Sequence, residues 1–188
     1  MKLASPTVAA IDIGSNTIKA LVATRDEHGL LESIEQRTLD SRISEGISGN
    51  AMKLTEEAMA EGQEAVAELM AMVSSHHPVK VGIVATSAVR EASNRELFAN
   101  RIQDVTGHPL TVLDGEEEAR MIGRGLLCDP GMIQWDDFHV FDLGGGSLEV
   151  LTFKERKLTQ AESLPLGCVR LTEKFIADRE APFQASEG

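Results

Sequence analysis

The chain has 188 residues, with 18 Lys and Arg against 30 Asp and Glu and a formal net charge of −12. That length suits one ordinary domain or two small ones, and no stretch approaches the roughly 20 apolar residues of a membrane span. The acidic balance excludes a basic track for nucleic acid, and a chain with no tyrosine and one tryptophan, Trp135, lacks a stacking platform for single strands. An anionic ligand would have to be held locally, by backbone amides, a few arginines and a metal ion. The two cysteines, Cys128 and Cys168, lie in apolar surroundings and read as buried free thiols, with the cytoplasm as compartment. The first apolar run is cut by Asp12 and preceded by a single Lys, so it does not read as a leader.

Residues 8–13 and 18–24 read as an apolar hairpin whose tip, Gly14-Ser15-Asn16, follows Asp12. A third strand is expected over 31–39 and a polar, glycine-rich loop over 41–50. The spacing predicts a helix over 54–74, opened by Glu56 and Glu57, with Met59, Gln63, Val66, Met70 and Val73 as its core stripe. His76-His77-Pro78 closes it as a solvated terminus. The run VKVGIVAT (79–86) predicts a buried strand. Ser93 and Glu96 form a capping box for a helix over 94–105 that Gly107 stops. Arg90 falls between that strand and that helix, where parallel-type sheets place ligand loops; an ordinary surface arginine is the other reading.

A short strand over 110–113 leads to a helix reaching about residue 127. Asp114 is its N-cap with Glu117 completing a capping box, and Glu116 can pair with Arg120. Glu118 lies three and four residues from Met121 and Ile122, on the apolar face, and an inward carboxylate calls for a cleft. After a connector over 128–137 comes a second hairpin, 139–143 and 148–153, around Gly144-Gly145-Gly146-Ser147. Three glycines allow backbone N–H groups to turn toward one point, a concavity that suits phosphate. This hairpin repeats the first: Asp142 matches Asp12, Gly144 matches Gly14, Ser147 matches Thr17 and Glu149 matches Lys19. Two such tips could hold one phosphorylated ligand from both sides. A strand over 158–164, a helix near 171–177 and a frayed polar tail over 179–188 follow.

Taken together, DIGSN (12–16), ISEG (43–46), ATSAVREASN (85–94), GEEEAR (115–120), FDLGGGSLE (141–149) and SLPLGCVRLTE (163–173) resemble the exopolyphosphatase/guanosine-pentaphosphate phosphatase (Ppx/GppA) family. The resemblance implies an α/β fold of the actin-like ATPase superfamily: a ribonuclease-H-like mixed sheet with flanking helices, complete over 1–130, and a partial second copy over 131–188. A later glycine-serine-rich loop of the family has no counterpart here, so the chain is expected to be truncated and its activity by itself is in question. The resemblance also implies metal-assisted hydrolysis of a terminal phosphoanhydride. Glu118 falls on the family's catalytic glutamate and Arg90 on its phosphate-contacting arginine. Gly14, Ser15, Asn16 and Gly144, Gly145, Gly146, Ser147 fall on its phosphate loops. Asp142 and Glu149 fall on its magnesium-side carboxylates, while Asp12 either holds a metal-bound water or fixes its own turn.

The expected ligands are inorganic polyphosphate or guanosine penta- or tetraphosphate, tying the chain to the stringent response, with no nucleic-acid or membrane partner. A homodimer is expected from the sheet edges of an incomplete second unit. Two other classes stay open: a nucleotide-binding kinase or ATPase of the same superfamily, and a non-catalytic module binding polyphosphate or an alarmone.

Overall fold

The computed structural model describes residues 5–44 and 52–176. Glu45 and Gly46 of the ISEG segment, most of the 41–50 loop and the 179–188 tail lie outside the described residues. Strands β1 (Val8–Ile13), β2 (Thr17–Arg25) and β3 (Leu31–Asp40) form an antiparallel meander, followed by α1 (Glu56–Ser75), β4 (Lys80–Ala85), α2 (Ser87–Glu91), α3 (Arg95–Thr106) and β5 (Leu110–Val112). The sheet order is β3-β2-β1-β4-β5, with β4 parallel to both β1 and β5. This is the mixed sheet the resemblance implies.

Alternation along β1 and β2 sends Ile11, Ile13, Ile18 and Val22 to one face, joined by Ile83 and Ala85 of β4. They meet Val66, Leu69 and Val73 of α1 and Phe98 and Ile102 of α3 in one core. The stripe of α1 is buried at Met59, Val66 and Val73, whereas Gln63 and Met70 are half-buried at its margin. The opposite sheet face is open. β4 is buried as its apolar run predicts only at Ile83 and Ala85: Lys80 and Gly82 are exposed and Val81 and Val84 half-buried.

Helices α1 and α3 fall near their expected bounds, whereas α2 has no expected counterpart. Thr55 caps α1 by accepting from Ala58 N–H at 3.0 Å. The capping box expected from Ser93 and Glu96 does not form, because the N-cap of α3 is Asn94, with no side-chain cap bond. The Asn94 amide is engaged elsewhere, bridging the N–H and the C=O of Leu54 at 3.0 Å each and so tying the start of α1 to α3.

Helix α4 (Gly115–Leu127) turns away from the first sheet and lies on the second, a meander of β6 (Phe138–Leu143), β7 (Leu148–Lys154) and β8 (Lys157–Leu164). Leu151 and Phe153 are buried beneath it, with Phe138 stacked on Phe153 at 4.4 Å. The last helix, α5 (Cys168–Phe175), begins three residues earlier than its apolar pattern predicts. Its first amides find acceptors in the loop between β6 and β7, which the local sequence does not show. Both cysteines are exposed, contrary to expectation. Cys128 stands at the C-cap of α4 and Cys168 opens α5, so each sits at a helix end and not in the core.

Candidate active site

The two hairpins match in geometry as they match in sequence. Gly14 N–H donates to Thr17 O at 3.0 Å and Gly144 N–H to Ser147 O at 2.9 Å, closing the two tips alike. In register, Asp12 faces Lys19 across the first hairpin and Asp142 faces Glu149 across the second. The tips touch. A Cβ on Gly145 would lie 3.2 Å from Ser15 Cβ, and one on Gly146 would stand 2.7 Å from Ser15 Oγ and collide with Ser87. Backbone of one hairpin thus approaches the other as closely as glycine allows. The amides of Ser15, Asn16, Gly145, Gly146 and Ser147 are taken up by no acceptor among the described residues. The hydroxyl-bearing Ser15 and Ser147 are themselves buried.

Arg90 sits on α2, immediately past β4, and reaches Glu118 on α4. Its Nη1 donates to Glu118 Oε2 at 2.8 Å and to Leu113 O at 3.0 Å, leaving the rest of the guanidinium without a partner among the described residues. Glu118 is inward as its phase predicts, with its side chain 12% exposed. The face that carries it inward differs from the expected one: Ala119 and Gly123 are buried, whereas Met121 is exposed. Capping by Asp114 holds the first turn, accepting from Glu117 N–H at 2.8 Å while Glu117 answers at 3.1 Å. Glu116 pairs with Arg120 on the outer surface, Nε to Oε1 at 3.0 Å.

Burial pushes the Glu118 carboxyl above the ordinary glutamate value. The Arg90 hydrogen bond pulls the other way, and the negative charges of Glu149 and Asp12 add to the rise. Asp12 is also raised, chiefly by burial, with Lys19 opposing and Asp142 reinforcing. Four carboxylates from β1, α4, β6 and β7 therefore face one region, although no three of them converge as a ready ligand set among the described residues. Asp12 Oδ1 is buried without a hydrogen-bond partner, so that oxygen does not fix its own turn. Magnesium keeps most of its waters and takes one or two carboxylates, so a single orphaned carboxylate oxygen fits it without a converging set. Glu149 is 2% exposed and accepts from Ser163 Oγ at 2.7 Å, whereas Asp142 is exposed.

Ser163 was not among the residues singled out from sequence. It opens the SLPLGCVRLTE segment, and a second signal is Gly115, which opens the GEEEAR segment. A Cβ there would stand 2.7 Å from Ser163 Cβ, so glycine lets α4 lie against β8 where Ser163 holds Glu149. Arg90, Gly115, Ser147 and Ser163 line a cavity of about 240 Å3. A larger one, about 590 Å3, lies against α5 on the same glycine loop. Arg90 and Ser147 line the smaller cavity, whereas Ser15, Gly145 and Gly146 line the larger.

A mixed sheet joined to a second meander, each contributing an Asp-marked glycine hairpin to one cleft, defines a protein of the actin-like α/β class. Within that class the chain belongs to the Ppx/GppA phosphatase family, whose sequence profile matches residues 21–186. It is 34% identical over 182 residues to Exopolyphosphatase 2 of Mycobacterium tuberculosis, covering 93% of this chain and 56% of the relative. Among solved structures, an exopolyphosphatase from Cytophaga hutchinsonii superposes with a TM-score of 0.82 at 26% identity, covering 90% of this chain and 54% of that one. The Aquifex aeolicus Ppx/GppA family member superposes at 0.76 with 29% identity, covering 92% and 55%. The chain spans about half the length of these relatives. No helix among the described residues is long and apolar enough to cross a membrane.

Proposed function

We propose that this chain carries the water-activating site of a phosphatase that removes the terminal phosphate of inorganic polyphosphate. The observation that carries the reading is the Arg90–Glu118 pair, a fixed cation and an inward base, set beside two hairpins with free amides. Membership of the Ppx/GppA family and the names of its relatives support it.

Phosphoryl transfer asks a protein mainly for in-line placement and charge neutralisation. Glu118 accepts a proton from water as the water oxygen bonds to the terminal phosphorus. The phosphorus–bridging-oxygen bond breaks, and the bridging oxygen leaves on the shortened chain. Amides of Ser15, Asn16, Gly145, Gly146 and Ser147 bind the equatorial oxygens, and the fixed positive charge of Arg90 offsets the negative charge that develops there. Asp12, Asp142 and Glu149 are the carboxylates that would hold magnesium, whose chemistry is to neutralise charge on the phosphate oxygens. Guanosine pentaphosphate ends in the same bond and is the second candidate substrate.

Phosphate release from polyphosphate, guanosine pentaphosphate and ATP, measured side by side with magnesium, tests the proposal. Release from polyphosphate is expected to lead. Release from ATP alone would instead place the chain with the ATPases of its superfamily, and saturable binding without any release would make it a sensor.

A further inference from the structure

The segment SLPLGCVRLTE (163–173) supplies Ser163 to the site, but its helical part has no place in the chemistry above. That part nevertheless grips the second glycine loop. The N–H groups of Cys168 and Val169 donate to Gly144 O and Gly145 O at 2.9 Å each, and Arg170 Nε donates to Gly146 O at 3.0 Å. Three successive carbonyls are thus drawn to one side. Among the described residues no peptide bond is cis, so the N–H of each plane points opposite to its C=O. The amides of Gly145, Gly146 and Ser147 are thereby turned away from α5 together.

The same guanidinium does a second thing. Arg170 Nη2 donates to both carboxylate oxygens of Glu91 at 2.6 Å, and the two side chains are 32% and 25% exposed. Glu91 is on α2, next to Arg90, and Ser87 Oγ lies within 3.4 Å of the same carboxylate. Gly167 precedes the helix at a point where a Cβ would collide with Gly145 O, so the segment is seated directly on the loop. We propose that Arg170 is a positioning residue: anchored by Glu91, its planar fork sets the Gly146–Ser147 peptide so that the loop's amides face phosphate, and links that setting to the helix carrying Arg90. The proposal rests on the reading that this loop binds phosphate. Arginine is required because lysine, a point charge on a flexible stem, cannot hold a carbonyl and a carboxylate at a fixed mutual angle.

The test is amide NMR of the 15N-labelled chain titrated with tripolyphosphate and magnesium, with affinity read from the same titration. In the wild type, Gly145, Gly146 and Ser147 shift saturably, as do Ser15 and Asn16 on the other hairpin. In Arg170→Lys the shifts of Gly145, Gly146 and Ser147 shrink and binding weakens roughly tenfold, as expected on losing an outer hydrogen-bond partner, while Ser15 and Asn16 still respond. Glu91→Gln, which leaves Arg170 in place, shows the same pattern more weakly. Wild-type shifts and affinity in Arg170→Lys would overturn the positioning role while leaving phosphate binding intact. An unaltered loop in Glu91→Gln would overturn the link to α2. No shift at either hairpin of the wild type would instead defeat the phosphate reading, and this proposal with it.

Discussion

Glu118 and Arg90 illustrate how much a single contact decides. Burial pushes the Glu118 carboxyl up, and the Arg90 hydrogen bond opposes that rise without exposing the group, which favours the ionised form a base needs. Glu118→Gln is expected to cut phosphate release by about 10²–10⁴-fold, the usual share of a general base, while tripolyphosphate binding persists. Near-normal turnover would remove Glu118 from the mechanism. Because catalysis needs the ionised form, the acidic limb of the pH–rate profile should lie above the ordinary glutamate range. In Arg90→Ala it should move higher still, since the lowering influence is gone, and a limb that moved down would contradict the assignment. The sign for stability is opposite in sense. A carboxyl raised on folding contributes stability that is present below its unfolded value, here the ordinary 4.5, and lost as pH rises through the folded one. The Tm of Glu118→Gln measured without metal should therefore gain on the wild type as pH rises.

Helix α4 brings Glu118 to the cleft because its glycines let it lie close on the second sheet. A Cβ on Gly123 would meet Leu151 at 3.1 Å, Phe153 at 3.2 Å and Leu158 at 3.3 Å, and the first two of these are buried and cannot yield easily. Gly123→Val should cost about 1–3 kcal/mol through overpacking, lower the urea midpoint, and reduce phosphate release because Glu118 rides on the same helix. Two residues on, a Cβ at Gly125 would meet nothing within 4 Å. Gly125→Ala should stabilise by about 0.5–1 kcal/mol through helix propensity alone. Equal effects of the two substitutions in urea titrations would show that the close approach has been misassigned.

Across the whole molecule, the site is assembled from separate elements: one tip from the first sheet, one from the second, Arg90 from α2 and Glu118 from α4. A ligand that touches both tips binds only when they are brought together, so it should stabilise the folded chain by mass action, about 2.7 kcal/mol at a hundredfold excess over Kd. Thermal unfolding with tripolyphosphate and magnesium should show a Tm that climbs with ligand concentration. A flat response would refute two-sided binding. On β6, an edge strand of the second sheet among the described residues, Phe141 is 69% and Leu143 58% exposed on either side of Asp142.

The paired hairpins and the Asp114–Glu117 cap were legible in the sequence, because turn and cap residues lie close together along the chain; Glu118 also turns inward as read, although Ala119 and Gly123, not Met121, are buried beside it. The family followed from the order of six short segments. What the sequence did not show depends on groups brought together from far along the chain. The Ser93–Glu96 cap on α3 never forms, because the helix takes Asn94 as its N-cap, and the Asn94 amide bonds Leu54, forty residues away. Helix α5 starts early because the carbonyls of Gly144 and Gly145 are waiting for its amides. Arg90 and Glu118, twenty-eight residues apart, became partners only once α4 had left the first sheet for the second. Local periodicity determined the elements and their chemistry; tertiary packing alone decided which charges would meet, since a buried charge takes whatever partner the fold delivers.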